Sequence, residues 1–156
     1  MTTRSVLSSI ITALSQSVVS PIFLIDMIFD STPLYLWNGL GDLTVNHPSG
    51  AITYTGAGHL INISEVPETA AVEARPLQVV LSGIPSALVA LALDEPYQGR
   101  KCILRLGTAG SDDTVILFTG EMNTMDMEDF ADTAKIILKV DHDLIILDRE
   151  VVRTYT

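Results

Sequence analysis

The sequence predicts a mainly β protein: an antiparallel β-sandwich or β-barrel with an N-terminal amphipathic helix and one short buried helix near residues 85–93. Three observations carry this. Short runs of β-branched and aromatic residues alternate with polar ones along most of the chain. Turn signals rich in Gly, Pro, Asn, Asp and Ser recur at a spacing of about 8–12 residues, as in sandwiches and barrels. Only two stretches, 4–18 and 85–93, have the pattern or composition of a helix. The 156 residues suit one domain, 21–156, preceded by a helical segment, 1–20. A chain of this size buries roughly 70% of its unfolded surface and needs no staple.

In the first segment Val6, Leu7, Ile10, Ile11, Leu14 and Val18 fall one, three and four residues apart, a single apolar stripe that Pro21 ends. Arg4 ahead of this stretch gives it a faint likeness to a signal peptide. Ser8, Ser9, Thr12, Ser15, Gln16 and Ser17 break the apolar run and favour the helix. A helix this short is marginal alone and needs a surface, its own β core or a neighbouring subunit. Val6, Leu7, Ile10, Ile11 and Leu14 are therefore candidate subunit-interface residues.

Strands follow. "PIFLIDMIF" is rich in β formers, and Asp30 to Pro33 makes a turn. "LYLWNG" alternates Leu34 and Leu36 with Tyr35 and Trp37, a half-buried strand with an aromatic side. "LTVN", "HPSG" and "AITYTG" read as strand, turn and strand. "HLINISEV", "AAVEARP" and "LQVVLSG" are further strands. In "SGIPSALVALALDEPYQGR", Pro85 suits a first helical turn, and Pro96 and Gly99 stop the helix. It is apolar all round, so Ala87, Ala90 and Ala92 are expected in close packing. Asp94 and Glu95 sit unfavourably at its C-terminal end, where Arg100 or Lys101 would offset them. "KCILRLG" sets Cys102, Leu104 and Leu106 against Lys101, Ile103 and Arg105. "TAGSDD" is a turn and "TVILFTGEM" a strand. The acidic run 121–132 reads as a solvated loop, "TAKIILKVDHD" as a strand, and "LIILDREVVRTYT" closes the chain.

Composition narrows the function classes. Lys and Arg total 9 against 19 Asp and Glu, a formal charge of −10. Affinity for the outside of nucleic acid rests on cations against phosphate, so that class is disfavoured. An acidic wall instead lets a polyanion slide past. No run of 18 apolar residues occurs, so stable membrane insertion by a helix is not expected. The single cysteine, Cys102, allows no internal disulfide and no thiolate cage. It lies in an alternating strand and reads as a buried structural thiol.

No nucleophile elbow, phosphate loop or dinucleotide fingerprint is present, so no catalytic residue, cofactor or metal is expected. "GTAGSDD" lacks the lysine of a phosphate loop. In "DHD" a strand would turn His142 away from Asp141 and Asp143. The acidic run lacks the spacing of a calcium loop.

Five segments in order, "LYLWNGLGDL", "ITYTGAGHLINISEVPET", "LSGIPSALVALALDEPYQGR", "FTGEMNTMDMED" and "DREVVRTYT", resemble the tail-tip proteins of bacteriophages with long noncontractile tails. They are similar to the baseplate hub proteins of those phages and of gene transfer agents. The likeness covers about Leu34 to Thr156. It implies a virion structural protein, made in the host cytoplasm, that forms a ring below the tail tube. Such a ring links the distal tail or tube protein above to a central tip or fibre protein below, and DNA passes through its channel during ejection. It implies a β-barrel or sandwich carrying one helix on its sheet, and no active-site residues. Family members often continue beyond the position of Thr156. Some related tail-tip proteins hold an iron–sulfur cluster, which one cysteine cannot ligate within the chain.

The mean hydropathy of +0.37 is high for one small core and favours burial between copies. A homotrimeric ring is expected, with a hexamer, as in a distal tail ring protein, the alternative. Asp112, Asp113, Asp126, Glu128 and Asp129 are candidate channel-facing acids. A reading of another class is a carbohydrate-binding β-sandwich, with Trp37, Tyr54 and Tyr97 as stacking residues.

Overall fold

A computed structural model describes residues 8–15, 21–56, 59–64, 76–84, 90, 94–108, 110–130 and 133–143. Its strands are β1 (Pro21–Met27), β2 (Leu34–Trp37), β3 (Asp42–His47), β4 (Gly50–Gly56), β5 (His59–Ile63), β6 (Leu77–Ile84), β7 (Lys101–Thr108), β8 (Thr114–Phe130) and β9 (Thr133–His142). They form one sheet in the order β3-β4-β2-β1-β7-β8-β9-β6-β5. All neighbours are antiparallel except β2 and β4, which share a short parallel register. β3 and β5 end the order, so the sheet is not a closed barrel. The mainly β expectation holds. The segment 70–75, also read as a strand, and the closing segment 144–156 lie outside the described residues.

β8 organises the sheet. Its first half, Thr114 to Glu121, pairs with β7, and its second half, Gly120 to Phe130, pairs with β9. One strand thus belongs to two half-sheets, the device by which strands turn the corner of a sandwich. The ladder shifts register between Met122 and Thr124, a bulge of the kind that bends a strand. Gly120 sits at the corner. A Cβ there would run into the Asp141 carbonyl, lying 2.9 Å from Asp141 C and 2.9 Å from Phe118 Cε1. Only glycine lets β8 and β9 approach so closely.

The acidic run is therefore strand and not loop. Met122 and Met125 point inward and are buried, while Asp126 and Glu128 point out. The alternation resumes after the bulge, and the register sets Lys135 opposite Glu128, with Nζ 2.8 Å from Oε2. Cross-strand pairing supplies the cation that the run itself lacks.

Two apolar clusters lie on opposite faces of β1. One gathers Ile25, Met27, Leu34, Leu36, Leu77, Val79, Leu81, Cys102, Leu104, Phe118, Met122, Ile136, Leu138 and Val140. The other is small: Leu24, Val45 and Tyr54, with Tyr35, Trp37, Leu43 and Ile52 around them. A strand covered on both faces reads as a continuous apolar run, which is why "IFLIDMIF" lacks alternation. The β3–β4 hairpin makes the second cover. It joins the sheet at only two register positions, Leu36↔Thr55 and Trp37↔Gly56, and lays Val45 and Tyr54 over Leu24.

Helix α1 spans Ser8–Leu14 and touches β7. Near residues 85–93 only Ala90 is described. It is helical, with the Asp94 N–H donating to its carbonyl at 3.1 Å, and it is exposed. Close packing of Ala90 against strands of its own chain is thus not found, and Ala87 and Ala92 lie outside the described residues. The chain after Ala90 is tied to the exposed β1–β2 connection, where Glu95 accepts from the Ser31 N–H at 3.2 Å and Arg100 pairs with Asp30. Those ties hold the segment at the rim. Arg100 is committed to Asp30 and does not primarily serve Asp94 and Glu95.

Candidate functional site

The densest polar arrangement lies under the β3–β4 hairpin. Asp26, the one charge in the β1 run, is 2% exposed. Alternation places it on the same face as Leu24, beneath Tyr54. Its Oδ1 accepts from the Tyr54 hydroxyl at 2.8 Å and its Oδ2 from Arg105 Nε at 2.8 Å. Tyr54 Oη lies 3.0 Å from His47 Nε2. Since the hydroxyl proton goes to Asp26, the oxygen accepts from the imidazole N–H. One carboxylate thereby fastens β1, β3, β4 and β7. Next to it, Asp112 in the β7–β8 turn accepts from the Asn46 side-chain amide at 2.8 Å and faces the Asn46 backbone N–H at 3.5 Å.

Electrostatics follow from this packing. Burial, then the Asp26 charge, pushes the Tyr54 phenol well above its ordinary range and keeps it protonated. Burial, then the Arg105 cation, lowers His47 below its ordinary value, outweighing Asp26 and Asp112. Around neutrality the cluster is thus a phenol, a neutral imidazole and a closed guanidinium–carboxylate pair. Both Asp26 oxygens are occupied, so the group works as a fastener. Sequence reasoning missed it, because Tyr54 and Arg105 lie 28 and 79 residues from Asp26. The available signal was one aspartate inside an eight-residue apolar run.

A second feature is the loop after β2. Trp37 lies flat against Gly39, where any Cβ would strike the indole, and Trp37 Nε1 donates to the Gly41 carbonyl at 2.9 Å. The Gly56 N–H donates to the same carbonyl at 2.8 Å, and Asn38 Oδ1 accepts from the Phe23 N–H at 2.8 Å. Between these fixed points Leu40 stands 82% exposed.

The interface candidates divide. Ile10 is 1% exposed within its own chain and is not free for a partner, whereas Ile11 is 57% exposed. Val6 and Leu7, and the side chain of Leu14, lie outside the described residues. The acids divide too. Asp126 and Glu128 share the outer face of β8, with Glu128 paired to Lys135. Asp112 and Asp113 lie at the other end of β8, Asp112 held by Asn46 and the Asp113 N–H donating to Ser111 Oγ at 3.2 Å. The side chain of Asp129 is outside the described residues. The stacking candidates fare worse. Tyr54 is fully buried, Trp37 is spent on its own loop, and Tyr97 packs against the main core.

Among the described residues no group of three His, Cys, Asp or Glu is placed to hold a metal. No described helix is long and apolar enough to cross a membrane. Cys102 is buried, and burial pushes its thiol up to about 12. No protein-family model and no curated protein matches the sequence.

Proposed function

We propose that the chain is a structural subunit of a bacteriophage tail tip, a baseplate hub protein. Copies assemble into a homotrimeric ring that joins the distal tail or tube protein to the central tip or fibre and encloses the DNA channel. The resemblance of the five segments between Leu34 and Thr156 supplies the family. The observation that carries an assembly role is Leu40. A large apolar side chain standing in solvent on a loop tied down by the Trp37 and Gly56 hydrogen bonds to Gly41 serves as an anchor for a partner's pocket. Burying one leucine contributes about 1.5–3 kcal/mol, and prior ordering of the loop lowers the entropy cost of association. Ile11 on α1 is a second such position. Asp126 and Glu128 on the outer face of the β8–β9 hairpin are the acids assigned to the channel wall, where they repel DNA.

Native mass spectrometry of the purified protein, with Leu40→Ser beside it, tests this. A trimer that Leu40→Ser dissociates is expected. A hexamer would move the assignment to a distal tail ring protein. A monomer at high concentration, with no larger assembly in the particle, would overturn the ring.

A further inference from the structure

We propose that the β3–β4 hairpin is a hinged flap, latched over β1 at neutral pH and loosened on mild acidification through His47. This is independent of the assembly role.

The geometry is that of a lever. Within itself the hairpin is a complete ladder of six register pairs, from Asp42↔Thr55 to His47↔Gly50. To the rest of the sheet it is joined by two pairs at one end, Leu36↔Thr55 and Trp37↔Gly56. That base is fixed by the Gly41 carbonyl, which accepts from both Gly56 N–H and Trp37 Nε1. Beyond it the arm crosses the outer face of β1 and β7 and reaches the β7–β8 turn. Thr44 and Thr53 on its upper side are exposed and bond only each other, Oγ1 to Oγ1 at 3.1 Å. Its lower side covers a small apolar patch centred on Leu24. The arm is therefore held down by that apolar patch together with three polar contacts: Tyr54 on Asp26, His47 on Tyr54, and Asn46 on Asp112.

His47 is the half-buried member of that set, beside the turn at the arm's free end. The charged and titratable groups facing it are Tyr54 on β4, Asp26 on β1, Arg105 on β7 and Asp112 in the β7–β8 turn. Its Nε2–H is committed to Tyr54, so an added proton enters at Nδ1 and creates a cation beside Arg105 in a partly desolvated place. With the arm raised, the same cation is hydrated. The closed state lowers the affinity of His47 for a proton, because burial and Arg105 outweigh the two aspartates. Linkage then fixes the sign. Closure has its full strength above the ordinary imidazole pKa of about 6.5 and weakens as pH falls through that value toward the lower closed-state one. One proton changes the closed-to-open ratio by at most about tenfold per pH unit.

Once raised, an isolated two-stranded hairpin is marginal in water and its own ladder frays, so amide hydrogen exchange of the full chain, corrected for the intrinsic pH dependence of exchange, follows the ratio. The amides of Val45 and Tyr54 are compared with those of Ile25 and Leu104 between pH 7.5 and 5.5. Protection of the first pair should drop several-fold while the second pair is constant. His47→Gln, whose amide can still donate to Tyr54, should abolish the pH dependence, and Tyr54→Phe should lower protection at both pH values. In the parent protein, the His47 ring resonance should titrate with a midpoint below about 6.5. Equal loss of protection at both pairs, pH dependence that survives in His47→Gln, or a His47 midpoint above that value would each overturn the flap.

Discussion

Replacing Gly120 with alanine tests whether β8 turns between its two half-sheets at that residue. The new methyl group would lie inside contact distance of the Asp141 carbonyl oxygen and 2.9 Å from Phe118 Cε1. The Phe118 ring can rotate, but the carbonyl belongs to the β8–β9 ladder at Glu121↔Asp141 and moves only with its strand. Overpacking of this kind costs about 1–3 kcal/mol, and a weakened rung adds about 1 kcal/mol. The reduced freedom of the unfolded chain returns about 0.4–1 kcal/mol. The balance is a loss of about 1–3.6 kcal/mol. At 2–4 °C per kcal/mol for a chain this long, Tm should fall by roughly 2–14 °C. Circular dichroism melts and urea titrations at one fixed protein concentration measure it. Gly110→Ala is the control: its φ is +83° and no atom lies within 4 Å of the added Cβ, so only the left-handed backbone cost of about 1–2 kcal/mol applies. A Gly120→Ala protein that melts within about 2 °C of the parent, or above the Gly110→Ala protein, refutes the close approach at the corner.

Arg105→Met strands the Asp26 carboxylate, 2% exposed, and should cost about 3–5 kcal/mol in urea unfolding. Asp26→Leu combined with Arg105→Met should recover part of that loss, the remainder being the Tyr54 hydroxyl left without its acceptor. Glu128→Gln breaks a surface pair with Lys135 and should cost less than about 1 kcal/mol, less still in high salt. Cys102 should resist a thiol reagent at pH 8 until denaturant is added. The folded chain holds its thiol proton more tightly than the unfolded chain, so stability is complete below the free-thiol value of about 8.5. It declines as pH rises from there toward about 12; a rise in stability over that window would contradict the burial.

Much of the sheet was legible in the sequence because its signals are local. Alternation marked β2, β6 and β7, the turn "HPSG" marked the β3–β4 hairpin, and the β formers of "IFLIDMIF" marked a strand, whose cover on both faces only the structure shows. The errors share a cause. The second half of β8 looked like a loop because its counter-cation, Lys135, sits on the next strand. The Asp26 cluster was invisible because its members meet only after β1 pairs with β7. Ala90 was expected in close packing, against strands or a neighbouring subunit, from composition alone, and composition does not record which rim a helix is tied to. Trp37 and Tyr54 looked available as stacking surfaces because nothing local announces that Tyr54 is laid against Asp26 of β1 or that Trp37 turns onto its own loop. Of the interface residues, the stripe in α1 was visible, but its division into buried Ile10 and exposed Ile11 depends on where β7 runs.

The position of β1 between β2 and β7 has a consequence for synthesis. Its second neighbour ends at Thr108, about 80 residues downstream, which at about 5–20 residues per second takes the ribosome roughly 4–16 s. Throughout that interval the nascent chain carries an apolar strand with one edge unpaired, the kind of segment that seeds aggregation. Asp26 interrupts that run before Arg105 exists to neutralise it. The buried carboxylate that fastens the finished fold therefore also acts as a gatekeeper during translation. The Asp26→Leu, Arg105→Met double variant should accordingly give a lower soluble yield from cells even where it unfolds at the same urea concentration as the parent.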